Sequence, residues 1–289
     1  MDTKDILQKV RRIEIKTKRL SDHIFSGEYH TSFKGKGMSF AEVRQYQYGD
    51  DIRAIDWNVT ARYNEPYVKI FEEERELTLM LLIDVSKSVN FGSSDQFKND
   101  IITEIAATLA FSATTNNDKI GLILFSDQVE LFIPPKKGKP HVLRIIREIL
   151  QFQPTRTQTN LSVALKYLSQ VIKKKAITFV ISDFFEQELS YESTLKIVAK
   201  KHDITGIKVN DIREKEMPNI GFVWMEDAES LKGMYVNTSD SEVRKQYTQY
   251  FLDHEKYFKN VFARSGAGVI QMFCHESYVK KLLAYFKAR

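Results

Sequence analysis

The sequence predicts an α/β protein built on a doubly wound, mostly parallel β-sheet with helices on both faces. Short apolar runs alternate with segments of helical periodicity, as expected for a parallel sheet that is covered by helices. A carboxylate follows two of these runs, at the sheet edge where doubly wound folds bind ligands. The apolar runs are 77–83, 120–125, 129–133, 176–181, 203–209 and 268–273.

The composition is that of a globular protein. Of the 289 residues, 43% are apolar and 28% are charged, which suits a folded core and argues against disorder. The net charge of +5 is within the usual range for soluble domains. The one cysteine, Cys274, excludes an internal disulfide, and no secretion signal is evident, so we expect a cytoplasmic protein. The run 77–83 is far shorter than the roughly 20 residues of a membrane-spanning helix, so no transmembrane segment is predicted.

The first predicted element is an amphipathic helix within residues 5–24. Its apolar side chains recur at helical spacing, and residues 1–20 hold seven basic and three acidic residues, so most of the net charge lies here. We expect the apolar face to pack on the rest of the protein, with weak membrane-surface contact through residues 1–24 as the alternative. Nucleic-acid binding is not predicted.

Residues 1–75 are predicted to form an N-terminal region, in which an irregular, partly extended arm follows the helix. The arm is rich in Gly, Ser and Tyr and lacks helical periodicity. The dense cluster from Asp50 to Trp57 is interpreted as a turn with capping carboxylates and with Trp57 packed on the main domain. The alternative for this cluster is a binding surface, since such surfaces are enriched in aromatic residues and arginine.

Residues 76–289 are predicted to form the main domain. The link 126–128 is too short for a crossover, so it predicts a hairpin and one antiparallel strand. Segment 221–240 is interpreted as an inserted hairpin. The predicted helices are 97–115, 140–151, 160–174, 190–201, 240–264 and 277–288.

The polar side chains at the strand ends predict a site for a hard cation. Asp84 ends the first run, with Ser86 and Ser88 after it, and Asp183 follows the fourth run. A doubly wound order makes these two strands neighbours, and Thr159, at a predicted helix start, adds a third hydroxyl. Oxygen ligands of this kind suit Mg²⁺. The alternative is purely structural, because Ser and Asp cap many strand-to-helix turns.

These residues resemble a known family. DVSKS, TNL and ISDF are similar in order and context to the metal-ion-dependent adhesion site of von Willebrand factor A domains, and FAEVRQYQYGDDIRAIDW resembles the signature of the domain of unknown function 58 family. The resemblance covers most of the chain and implies a Rossmann-like von Willebrand factor A fold. Thr157 and Gln158 stand where glycines commonly precede the threonine. The implied metal residues are Asp84, Ser86, Ser88, Thr159 and Asp183, with the hydroxyls in direct contact and the carboxylates acting largely through water.

The resemblance implies a non-enzymatic interaction module. Such a module would bind Mg²⁺, with Mn²⁺ or Ca²⁺ as alternatives, and capture an exposed Asp or Glu of a protein partner. Members of the family are often encoded beside MoxR-type AAA+ ATPases, so the implied partner is such an ATPase or its client, in protein or complex maturation. The alternative is a metal-dependent hydrolase at the same site, with Asp183 or Glu186 as general base. The sequence has no phosphate-binding loop motif and no His-Glu-x-x-His pair.

Overall fold

The computed structural model contains two compact units, Phe33–Leu77 and a larger unit that includes Thr78–Arg289. Each unit has its own β-sheet. The structure describes residues 11, 12, 14, 39–72, 77–92, 97–186, 191–226 and 233–289.

The smaller unit is a two-stranded antiparallel sheet, β1 (Ser39–Gln45) with β2 (Tyr67–Glu72), connected through helix α1 (Trp57–Tyr63). The Asp56 carboxylate accepts from two backbone N–H groups at the start of α1, so the predicted capping role is confirmed for this residue. Trp57 is 68% exposed, and its packing on the main domain stays a prediction. The arm is more regular than predicted, because its two strands lie far apart in the sequence and pair only in the folded chain.

The larger unit contains a six-stranded sheet in the order β10-β7-β6-β3-β4-β5. All neighbours are parallel except β4 and β5, which form the antiparallel hairpin that the short link predicts. The strands are β3 (Thr78–Asp84), β4 (Lys119–Phe125), β5 (Val129–Lys136), β6 (Ile177–Ser182), β7 (Asp203–Asn210) and β10 (Gly268–Phe273).

Helices cover both faces of this sheet, and an inserted hairpin lies outside it, as predicted. The hairpin consists of β8 (Phe222–Glu226) and β9 (Gly233–Asn237). The helices are α2 (Lys98–Thr115), α3 (Lys139–Gln151), α4 (Leu161–Val171), α5 (Glu192–Ala199), the one-turn α6 (Ile212–Lys215), α7 (Ser241–Arg264) and α8 (Tyr278–Ala288). Among the described residues, no helix is long and apolar enough to cross a bilayer.

The central strands are buried along nearly their whole length, which explains their almost continuous apolar sequence. An aromatic cluster covers one side of the sheet, where Phe184 packs on Phe258 with ring centroids 4.3 Å apart. Phe184 directly follows Asp183, so this packing fixes the backbone at the end of β6.

Most of the predicted N-terminal helix lies outside the described residues. Arg11, Arg12 and Glu14 are described, and all three are helical. The Glu14 carboxylate lies 2.5 Å from the Lys139 ammonium at the start of α3. The proposed membrane contact through residues 1–24 stays a prediction.

Candidate metal centre

The two predicted carboxylates lie at the same edge of the sheet. β3 and β6 are adjacent and parallel, with Ile83 opposite Ile181. Asp84 is the last residue of β3, and Asp183 comes directly after β6. Both side chains are almost completely buried. The predicted adjacency of the first and fourth apolar runs is therefore confirmed.

Asp84 is at the centre of a hydrogen-bond network. Its Oδ1 accepts from the Ser86 backbone N–H at 2.9 Å, and its Oδ2 accepts from the Ser182 hydroxyl at 2.7 Å. The Thr159 hydroxyl lies 3.5 Å from the same Oδ2. The fold therefore brings Thr159 to Asp84 across 75 residues of sequence.

The loop that carries Thr159 is held by backbone contacts. The Lys87 N–H donates to the Thr157 carbonyl at 3.3 Å, and the Asn160 N–H donates to the Ser126 carbonyl at 3.0 Å. The Asn160 side chain caps α4 by accepting from the Val163 N–H. Thr157 thus holds this loop against the Ser86–Ser88 segment through its main chain.

The two serine hydroxyls lie side by side. Ser86 Oγ and Ser88 Oγ are 3.0 Å apart. Cis ligands of an octahedral Mg²⁺ ion with bonds of about 2.1 Å are themselves about 3.0 Å apart. The structure therefore brings all five predicted residues together as a set of hard oxygens, and this donor set fits a hard divalent cation.

The electrostatics at Asp84 also suit a cation. Burial raises the pKa of Asp84 to about 6, and the negative charge of Asp183 adds to the rise. Such a carboxylate is poorly solvated when ionised, and an adjacent cation would offset that cost.

A buried lysine that the sequence analysis missed lies beside Asp183. Lys98, the first residue of α2, is 0% exposed. Its ammonium donates to Asp183 Oδ2 at 2.8 Å and to Glu214 Oε1 at 2.5 Å. Burial opposes the ionised form of Asp183, but the charge of Lys98 outweighs it and holds the pKa of that carboxyl below its usual range. One sequence signal existed, because a lysine is unfavourable at a helix N-terminus unless a carboxylate neutralises it.

A second buried lysine, Lys208 on β7, supports the same loop. Its ammonium donates to the Asp183 carbonyl and lies 4.3 Å from the centre of the Phe185 ring. Burial lowers the pKa of Lys208 to about 8, with Asp183 opposing the fall.

The turn after β6 has an uncommon backbone conformation. Phe184 has a backbone φ of 52°, a value that residues other than glycine rarely adopt. Its N–H donates to the Ser182 hydroxyl at 2.9 Å. The turn directs Asp183 into the site and Phe184 into the core.

We expect Ser182→Ala to lower the free energy of unfolding by about 1–3 kcal/mol, because Asp84 Oδ2 and the Phe184 N–H both lose a buried partner. Urea denaturation measures this loss. Ser193→Ala, at an exposed position on α5, is the control and should change little. A Ser182→Ala variant as stable as the control would show that this hydroxyl does not support Asp84.

Both residues suggested as the general base of a hydrolase already have hydrogen-bond or ion-pair partners. Asp183 is paired with Lys98, and Glu186 accepts the Leu161 N–H at the start of α4 at 2.5 Å. Within the described ranges, no cluster of three or more His, Cys, Asp or Glu side chains could hold a metal. The described residues thus offer an oxygen site of hydroxyls and two carboxylates.

The doubly wound sheet, with these polar side chains at its strand ends, has the fold that the sequence resemblance implies. A family model described as "Protein of unknown function DUF58" matches residues 42–257, and the chain belongs to this family. The predicted membership of the domain of unknown function 58 family is confirmed.

One relative in sequence and two solved structures are similar to this chain. The Mycobacterium tuberculosis protein Rv1480 is 26% identical over 292 residues, which cover 100% of this chain and 91% of the relative. An aerotolerance-related membrane protein from Bacteroides fragilis aligns with a TM-score of 0.51 at 13% identity, covering 74% of this chain and 100% of that one. BatB from Bacteroides thetaiotaomicron aligns with a TM-score of 0.50 at 13% identity, covering 73% and 98%. These two structures show a shared fold.

Proposed function

We propose that this protein is a cytoplasmic, non-enzymatic interaction module that binds a divalent cation and captures an acidic side chain of a protein partner. The von Willebrand factor A-like fold supports an interaction role. The observation that carries the metal proposal is the pair of serine hydroxyls 3.0 Å apart, beside the buried Asp84.

Each residue of the site has a role in this proposal. Ser86, Ser88 and Thr159 would hold the ion through their hydroxyl oxygens, and Asp84 and Asp183 would orient those hydroxyls by hydrogen bonds. The bound ion, Mg²⁺ or alternatively Mn²⁺ or Ca²⁺, would supply a Lewis-acidic position for a carboxylate oxygen. Neutral hydroxyl ligands leave most of the ion's charge uncompensated, and this favours an anionic partner.

The rim of the site also suits an acidic partner. Lys87 lies between the two serines, its side chain is 46% exposed, and its ammonium is 3.6 Å from the Glu226 carboxylate on the hairpin. A carboxylate of the partner would compete with Glu226 for this exposed ammonium, and their attraction would add to that of the ion. From the family resemblance, we propose a MoxR-type AAA+ ATPase or its client as the partner, in protein or complex maturation.

The double variant Ser86→Ala/Ser88→Ala tests this function. We expect it to lose at least about 90% of the Mg²⁺-dependent capture of the MoxR-type ATPase of the same organism, since two direct ligands are gone. Pull-down with purified proteins, in Mg²⁺ and in EDTA, measures the capture. Ser239→Ala, at an exposed turn, should behave as wild type. Capture that is equal in EDTA, or unchanged in the double variant, would contradict the proposal.

A further inference from the structure

The Lys98 ammonium lies between the candidate metal centre and Glu214. It donates to one oxygen of Asp183 and one oxygen of Glu214. The other Glu214 oxygen accepts from Asn210 Nδ2 and from the Asp211 N–H, both at 2.9 Å. Glu214 is therefore fixed from both sides, and Lys98 is 0% exposed.

Asp183 has donors on both carboxylate oxygens. Oδ2 faces the Lys98 ammonium, and Oδ1 accepts from the Phe185 N–H at 3.2 Å. A divalent ion bound directly to this carboxylate would lie close to the ammonium and be repelled by it, unless the ion pair separated. Separating a buried ion pair is costly, because each charge is left unsolvated.

We propose that Lys98 is a positioning residue of the metal centre, which keeps Asp183 out of direct coordination and lowers the affinity of the site for the ion. This inference rests on the metal site of the proposed function. Among the described residues, Asp183 pairs with an ammonium and Asp84 does not. A divalent ion at the site would therefore retain positive charge and need a further anionic ligand. The carboxylate of the partner would supply it.

Two variants change Mg²⁺ affinity in opposite directions. Glu214→Gln removes one of the two negative charges that neutralise Lys98. The remaining positive charge should weaken Mg²⁺ binding about three- to tenfold. Lys98→Met/Glu214→Gln removes both charges and frees Asp183, so Mg²⁺ should bind at least about tenfold more tightly than to wild type. Met and Gln are close in size to the Lys and Glu that they replace, which limits changes in packing.

Isothermal titration calorimetry with MgCl₂ alone measures these affinities, and circular dichroism verifies that each variant is folded. A folded double variant that binds Mg²⁺ no more tightly than wild type overturns the inference. If the double variant does not fold, the Mg²⁺ affinity of Glu214→Gln decides. Binding by this variant that is as tight as wild type, or tighter, overturns the inference.

Two results distinguish the role of Lys98 from the metal site itself. If wild type binds Mg²⁺ through Asp84 and the Lys98 and Glu214 variants bind it equally well, only the role of Lys98 is overturned. Absence of Mg²⁺ binding in wild type overturns the metal site and, with it, this inference.

Discussion

Asp84→Asn should abolish Mg²⁺ binding and at the same time stabilise the metal-free protein at pH 7.5. The amide can keep the contacts of the carboxylate, accepting from the Ser86 N–H and donating to the Ser182 and Thr159 hydroxyls. It lacks the negative charge that the ion requires, so we expect at least about a hundredfold loss of affinity. It also lacks the charge whose burial opposes folding.

The stability gain follows from the pKa of Asp84, which burial raises from 3.8 to about 6. A carboxyl whose pKa is raised in the folded state binds its proton more tightly there than in the unfolded chain. Its destabilising effect is therefore full above pH of about 6 and disappears as the pH falls towards 4. A shift of this size corresponds to about 3 kcal/mol at pH 7.5 and roughly half of that at pH 5.

Urea denaturation in EDTA at pH 7.5 and pH 5 measures the gain, and calorimetry measures the loss of Mg²⁺ affinity. Asp253→Asn, an exposed position on α7, is the matched control and should change neither quantity. Unchanged Mg²⁺ affinity, or a metal-free variant that is less stable than wild type at pH 7.5, would contradict the description of Asp84.

Lys98→Met should destabilise the protein by about 3–5 kcal/mol at neutral pH, because it leaves Asp183 and Glu214 buried without their cation. The carboxyls would then have raised pKa values in the folded state. The loss should therefore shrink as the pH falls and they take up protons.

Denaturation at pH 7.5 and pH 5 tests the effect of Lys98→Met. Lys196→Met, at an exposed position on α5, should change the stability by less than about 0.5 kcal/mol. Glu214→Gln added to Lys98→Met should restore part of the stability, since one of the two unpaired charges is removed. A Lys98→Met protein as stable as the control would mean that the ion pair does not hold Asp183.

The sequence predicted those parts of the structure that depend on local patterns. Apolar runs gave the strands, helical periodicity gave the helices, and the rule that ligands bind at the switch point placed Asp84 beside Asp183. The short link gave the antiparallel strand. These features depend on spacing within a few residues, or on a general rule of topology.

The features that were missed depend on pairs of residues far apart in the chain. Lys98 is 85 residues from Asp183 and 116 from Glu214 along the sequence. Contacts between residues so far apart produce no periodic pattern in the sequence. The strands of the smaller unit likewise pair across the α1 segment. Side chains that contact the residues of a site, as Lys98 does, are identified only when the folded structure is known.

Anomalous diffraction from crystals soaked in MnCl₂ tests the central claim most directly. We predict one strong manganese peak within bonding distance of the Ser86 and Ser88 hydroxyls, at the carboxyl end of β3, and no such peak in Asp84→Asn crystals. A saturated wild-type crystal with no manganese beside these two serines would contradict the account.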